Sequence, residues 1–191
     1  MSDQNSEKKW LRDYFERYRK SIFSEASWAK LVQLKELFLN THEQGRKVIF
    51  IGNGGSAAMA NHCAVDFTKN AGVRCINFNE ADLITCFAND FGYEKIFQKA
   101  LEFYMDKGDA VVLISCSGKS PNVLRAAEFA RSKGNTVVTF TGFSMDNPLV
   151  NLGDLNLCVE SRAYNVIENT HQVWILAVCD LIIGHAEYPP N

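Results

Sequence analysis

Two short stretches carry the residue types that hold a phosphate group. The first, Gly52-Asn53-Gly54-Gly55-Ser56, follows the apolar run Val48-Ile49-Phe50-Ile51 and leads into a segment containing His62. That order reads as a buried strand, a tight turn and a helix N-terminus. Glycines let the backbone approach a ligand closely, the first turn of a helix offers unpaired N–H groups to an anion, and Ser56 adds a hydroxyl. The second stretch, Ser115-Cys116-Ser117-Gly118-Lys119-Ser120, also ends an apolar run and is followed by Pro121 and Asn122. Ser120 has the type and place of a helix N-cap, with Pro121 at the first helical position. Alternatively it joins Ser115 and Ser117 in recognising a phosphate through hydroxyls and backbone N–H groups. Neither GxxxxGK[ST] nor GxGxxG is present, which argues against a nucleotide cofactor. A phosphorylated small molecule is the expected ligand.

Acid–base candidates lie on two other segments. His62 and Asp66 are four residues apart, hence on one face of the helix after the first turn. The spacing suits metal ligation or proton transfer, and equally a plain i,i+4 hydrogen bond on a solvated face. The last helical segment begins with Glu168, His171 and Gln172 and turns apolar from Val173. Such a polar start either faces a cavity or supplies a capping carboxylate with a hydrogen-bonded histidine. His42 and His185 sit in polar surroundings and receive no role.

The elements that must position these residues follow from hydrophobic patterning. Apolar runs at 48–51, 73–78, 110–115, 136–141 and 154–159 alternate with helix-forming segments near 56–70, 81–104, 121–133 and 165–184. The second of these helices should break between Asn89 and Gly92, and a short connection at 144–152 joins the last two strands. Continuous apolar strands alternating with helices predict a doubly wound α/β domain, its parallel sheet covered on both faces. In such sheets ligands bind beyond the carboxyl ends of the strands, where both Gly/Ser stretches fall. Residues 1–7 are polar and expected to fray. Helical periodicity then runs from about Lys9 to Leu39, through Leu11, Tyr14, Phe15, Tyr18 and Ile22, with a break near Ser24 to Ser27. This aromatic stripe either covers the sheet or packs on another subunit, and the two are compatible.

Bulk properties exclude several classes. A 191-residue chain with 47% hydrophobic and 22% charged residues is long enough for one well-cored domain and is not disordered. A net charge of −2 offers no basic surplus for nucleic acid. The six cysteines, at 63, 75, 86, 116, 158 and 179, form no CxxC pair and read as reduced thiols of a cytoplasmic protein. The polar N-terminus does not suggest a secretory signal. The apolar run from Val173 to Ile183 is short for a membrane span and contains Asp180, so no membrane association is expected.

Taken together, Gly52 to Ser56 with His62, Ala88-Asn89-Asp90-Phe91-Gly92, Ser115 to Val123 and Thr139 to Gly142 resemble the sugar isomerase (SIS) domain family, in its phosphoheptose isomerase branch. The resemblance covers nearly the whole chain. It implies a single SIS domain at 46–191 with a five-stranded parallel sheet of flavodoxin-like order, and a helical N-terminal extension at 1–45 that makes oligomer contacts. It also implies a homotetramer with active sites between subunits. The implied ligand is a sugar phosphate, whose phosphoryl group would lie against Ser56, Ser115, Ser117 and Ser120. Cys116 takes a place usually held by Thr, and Asn53, Gly54, Gly55 and Asp90 complete the pocket. The family reaction interconverts sedoheptulose 7-phosphate and an aldoheptose 7-phosphate through an enediol, in the setting of lipopolysaccharide or capsule synthesis.

Departures from the family pattern fall on the chemistry. The family's His and, four residues on, Glu are here His62 and Asp66. Its Gln in the last helix is Glu168, its Asp three residues earlier is Asn165, and its proton-transferring or metal-binding His is Leu176. Leucine can do neither task. One reading is a variant isomerase using His62, Asp66 and Glu168, either directly or around zinc or another divalent metal, with help from His171 or Gln172. A second is a phosphosugar-binding regulator without turnover. A third is a protein-partner role like that of the SIS protein that binds the bacterial replication initiator, which shares the stretch Cys179-Asp180-Leu181-Ile182.

Overall fold

The computed structural model describes residues 4–187. Strand β1 (Val48–Gly52) lies inside the sheet, and each of its residues is buried. It is followed by α3 (Gly55–Lys69), β2 (Cys75–Asn77), α4 (Ala81–Phe91), α5 (Ile96–Tyr104) and β3 (Ala110–Ser115). Then come α6 (Pro121–Ser132), β4 (Thr136–Gly142), β5 (Leu155–Val159) and α7 (Tyr164–Ile183), with α1 (Gln4–Ile22) and α2 (Glu25–Glu43) ahead of the first strand. The five strands run in the order β2-β1-β3-β4-β5 with parallel pairing throughout. This is the doubly wound arrangement that strand–helix alternation predicts, in the flavodoxin-like order that the family resemblance implies, and the order reverses between β1 and β3.

Side chains alternate across β1 and divide the interior into two layers. Val48 and Phe50 join Phe38 of α2, Phe67 of α3 and Trp174 and Ile175 of α7. Ile49 and Ile51 join Ile96, Phe97 and Leu101 of α5 and Val123, Ala126 and Ala127 of α6. The rings of Phe38, Phe50 and Phe67 meet at centroid separations of 5.1–5.9 Å. Each such buried aromatic contributes about 1.5–3 kcal/mol by leaving water. Helix α7 has the length and apolar character of a membrane-crossing helix, but eight of its residues are buried in this core.

Boundaries differ from expectation in informative places. The β2 strand is only three residues long, because it lies at the sheet edge, where pairing on one side alone sustains it. The 81–104 helix does break, at Gly92 (φ 87), and a single 3-10 turn at Tyr93–Lys95 restarts it as α5. The N-terminal break falls at Phe23–Ser24, and α1 extends back to Gln4. Residues 4–7, expected to fray, are therefore helical, while residues 1–3 lie outside the described residues. All six cysteines are free thiols.

Candidate functional site: a serine pocket beside a carboxylate

Strands β1 and β3 are neighbours, so their two following turns open side by side at the carboxyl edge of the sheet. The first turn requires glycine at Gly54, whose φ of 53° with ψ of −121° is a backbone state that side chains disfavour. It also requires glycine at Gly55, where a Cβ would lie 2.7 Å from Oε1 of Glu168. The second turn is closed by the Gly118 N–H donating to the Ser115 carbonyl at 3.0 Å. Asn53 and Asn122 tie the turns together by reciprocal amide hydrogen bonds, both 2.9 Å, and the Tyr93 hydroxyl donates to Asn53 at 3.2 Å.

Between the turns lies a pocket of about 160 Å³ lined by Asn53, Ser56, Ile114, Ser115, Cys116, Ser117, Ser120, Tyr164 and Glu168. Ser120 occupies the N-cap position of α6, yet its hydroxyl makes no capping bond. Instead it lies 3.4 Å from the Ser115 hydroxyl. The Val123 N–H that a capping serine would serve is taken by the Asn122 side chain at 3.0 Å, which leaves Ser120 free for a ligand. The pocket's hydroxyls thus retain hydrogen-bonding capacity, and its lining contains no lysine or arginine.

Glu168 is the carboxylate in the pocket's lining. Its carboxylate lies against Gly55, at the start of α3, and its only described hydrogen-bond donor is the Cys116 thiol, with Sγ 3.9 Å from Oε1. Among the described residues it forms no ion pair. Burial, with the Glu168 charge beside it, pushes the Cys116 thiol up to about 12, so this cysteine is a protonated neighbour and not a nucleophile. Tyr164 and Ile114 were not singled out by sequence. Tyr164 is held by an edge-on contact of its ring with Phe143, whose φ of 63° is left-handed strain at the end of β4.

His62 and Asp66 do not line this pocket. They form a pair on α3 with Nε2 of His62 3.2 Å from Oδ2 of Asp66. Nδ1 of the same ring is 2.8 Å from Nε2 of Gln172, on α7. His171, the neighbour on that helix, is fully buried with Nε2 2.8 Å from the Thr141 carbonyl oxygen, and burial pushes its imidazole down to about 4. It belongs to the core. Asp90 lies on the exposed side of α4, beside Cys86 and Asn89, and is not brought to the serines within one chain.

Within one chain, His62, Asp66 and Glu168 form no metal-ligating group. Both ring nitrogens of His62 are engaged by protein groups, and the Glu168 carboxylate lies against Gly55 and Cys116. No group of three metal-ligating side chains converges among the described residues. Leu176 is half-buried and packs against the core, as an apolar residue should.

A model of the SIS domain matches residues 12–142 of this chain. The chain is 34% identical over 191 residues to the phosphoheptose isomerase of Roseiflexus sp. (strain RS-1), covering 95% of each. It is 39% identical over 145 residues to that of Burkholderia pseudomallei (strain 1710b), covering 73% of each. Among solved structures, the phosphoheptose isomerase of Neisseria gonorrhoeae superposes with a TM-score of 0.84 at 26% identity, covering 94% of this chain and 97% of the other. That of Francisella tularensis shares the fold with the same TM-score at 23% identity, over 96% of this chain and 100% of its own. With a matching domain model over most of its length and relatives this similar, the chain belongs to the SIS-domain family, in its phosphoheptose isomerase branch.

Proposed function

We propose that this protein is a cytoplasmic aldose–ketose isomerase acting on a heptose 7-phosphate, with sedoheptulose 7-phosphate as the ketose. The observation that carries the reading is the pocket in which Ser56, Ser115, Ser117 and Ser120 surround a space beside a carboxylate without a cationic partner. Relatives covering most of the chain are named for this reaction. The phosphoryl group sits against Ser115, Ser117 and Ser120, where the α6 N-terminus and spare hydroxyls favour an anion. The carbon chain bends over α3, so that C1 and C2 lie between Glu168 and His62, which is six residues, about 9 Å, beyond Ser56 on that helix.

Isomerisation needs a base and a donor. Glu168, as base, takes a proton from C1 of the ketose, and the electron pair moves into a C1–C2 double bond as the carbonyl oxygen gains charge. A hydrogen-bond donor steadies that oxygen and protonates it to the enediol. Loss of the O1 proton with return of a proton to C2 gives the aldose, leaving the protein unchanged. No step requires a metal or a nucleotide.

The pocket of one chain is open and small for the whole substrate, which supports sites completed by another copy. Helix α1 buries none of its residues, and Trp10 and Phe15 are each 62% exposed. That unpartnered aromatic face suits a homotetramer, with residues 1–45 as its contact segment and Asp90 serving a neighbour's site. Sedimentation velocity on the wild type and on Trp10→Glu with Phe15→Glu tests the assembly. Following sedoheptulose 7-phosphate by NMR tests the reaction. An aldoheptose product supports the reading, whereas tight binding with no product makes the chain a phosphosugar binder.

A further inference from the structure

Helix α7 places an amide at 172 that reaches the α3 imidazole directly. The Gln172 amide nitrogen lies 2.8 Å from Nδ1 of His62. An amide nitrogen only donates, so Nδ1 accepts and carries no proton. The ring's single proton is then on Nε2, which lies 3.2 Å from Oδ2 of Asp66. The two contacts are mutually consistent. One donor and one acceptor, from two different helices, define one tautomer of a neutral ring.

The exposure of the ring separates this from a packing contact. The His62 side chain is 49% exposed, while His171, the core histidine of the neighbouring helix, is fully buried. A half-exposed imidazole gains little by being held for packing, yet this one is held at both nitrogens. Its Nε2–H is the group a substrate oxygen reaches by sharing the proton now given to Asp66.

We infer that Gln172 is a positioning residue, which fixes His62 as a neutral Nε2–H donor to the oxyanion of the isomerisation while a carboxylate acts as base. Enediol chemistry uses this division of labour between a carboxylate base and an uncharged imidazole donor. The inference rests on the isomerase reading for its catalytic half and on geometry alone for the tautomer.

The test combines ring-nitrogen NMR with kinetics on the full chain. The four histidines make a long-range proton–nitrogen correlation spectrum simple. His171, whose Nε2 faces the Thr141 carbonyl, supplies an internal Nε2–H reference. Wild-type His62 should show a protonated Nε2 and an unprotonated Nδ1. In Gln172→Leu the tautomers should mix. In Gln172→Glu, where carboxylates face both ring nitrogens, Nδ1 should gain a proton while Nε2 keeps its own. Both variants should lose about tenfold or more in kcat with KM within about twofold, the pattern of a lost proton-transfer contribution. An unchanged Nε2–H tautomer in both variants overturns the inference, as does a changed tautomer with unchanged kcat. A wild type that turns over no sugar phosphate, while its His62 tautomer still follows residue 172, overturns the isomerase reading and leaves the tautomer lock standing.

Discussion

Asp109 and Glu168 are carboxylates at opposite edges of the same sheet, and their surroundings differ in kind. Asp109, just before β3, has a fully buried side chain. It accepts from the Lys47 backbone N–H at 3.0 Å and the Asp106 backbone N–H at 2.8 Å, and it pairs with the Lys47 ammonium at 2.7 Å. Glu168, at the carboxyl edge, is half-buried with one weak thiol donor and an open pocket in front of it. A carboxylate whose lone pairs are filled stabilises the fold. One left with unfilled lone pairs beside unengaged hydroxyls costs stability and is available to a ligand. The difference is between a carboxylate filled by the fold at one edge and one open to a pocket at the other.

Breaking each carboxylate should separate stability from activity. Asp109→Ala leaves the Lys47 ammonium to Asp106 alone and the Lys47 and Asp106 backbone N–H groups without their acceptor, and should destabilise the protein by about 3 kcal/mol, read by urea unfolding. Glu168→Gln should lower turnover by about 10²- to 10⁴-fold with an unfolding midpoint equal to or above that of the wild type. The same variant should bind inorganic phosphate more tightly by titration calorimetry, because it removes a negative charge from the pocket. If Glu168→Gln instead unfolds the protein, the contrast between the edges is wrong.

Smaller effects sharpen the comparison. His171 binds a proton with a value near 4 in the folded state against 6.5 unfolded. The unfolded chain therefore holds more protons between those values, so stability rises with pH across that window and is lost as pH falls from 6.5 toward 4. The full contribution is about 3 kcal/mol, and urea unfolding of His171→Phe should show a correspondingly flatter pH dependence. Ser120→Ala should weaken sugar-phosphate binding by about tenfold, the worth of one hydrogen bond to a charged group, without affecting the unphosphorylated sugar. Equal losses for both ligands would remove the phosphate from that turn.

Much of this is legible in the sequence. Continuous apolar strands gave the parallel sheet, and the Gly92 break and the Pro121 helix start were visible as local chemistry. The Gly54 and Ser120 turns could be placed for the same reason, since glycine freedom and capping act within a few residues. What periodicity could not supply was direction across helices. His62, Asp66 and Glu168 looked like one cluster by type, but Glu168 lies against Gly55 while His62 is engaged by Gln172. The Asn53–Asn122 bridge and the place of Tyr164 were hidden likewise, because they join residues far apart in sequence. The fate of the Ser120 hydroxyl depended on a competitor, Asn122, reaching the same backbone N–H first.

The central claim is that the carboxyl edge moves a proton between C1 and C2 of a sugar phosphate with Glu168 as base. Incubating the protein with sedoheptulose 7-phosphate in deuterated water, with and without added zinc, and following C1 and C2 by NMR, tests it most directly. The account predicts deuterium incorporation that is independent of zinc, abolished in Glu168→Gln, and accompanied by the aldose. Binding of the sugar phosphate without any exchange, or exchange that persists in Glu168→Gln, would contradict it.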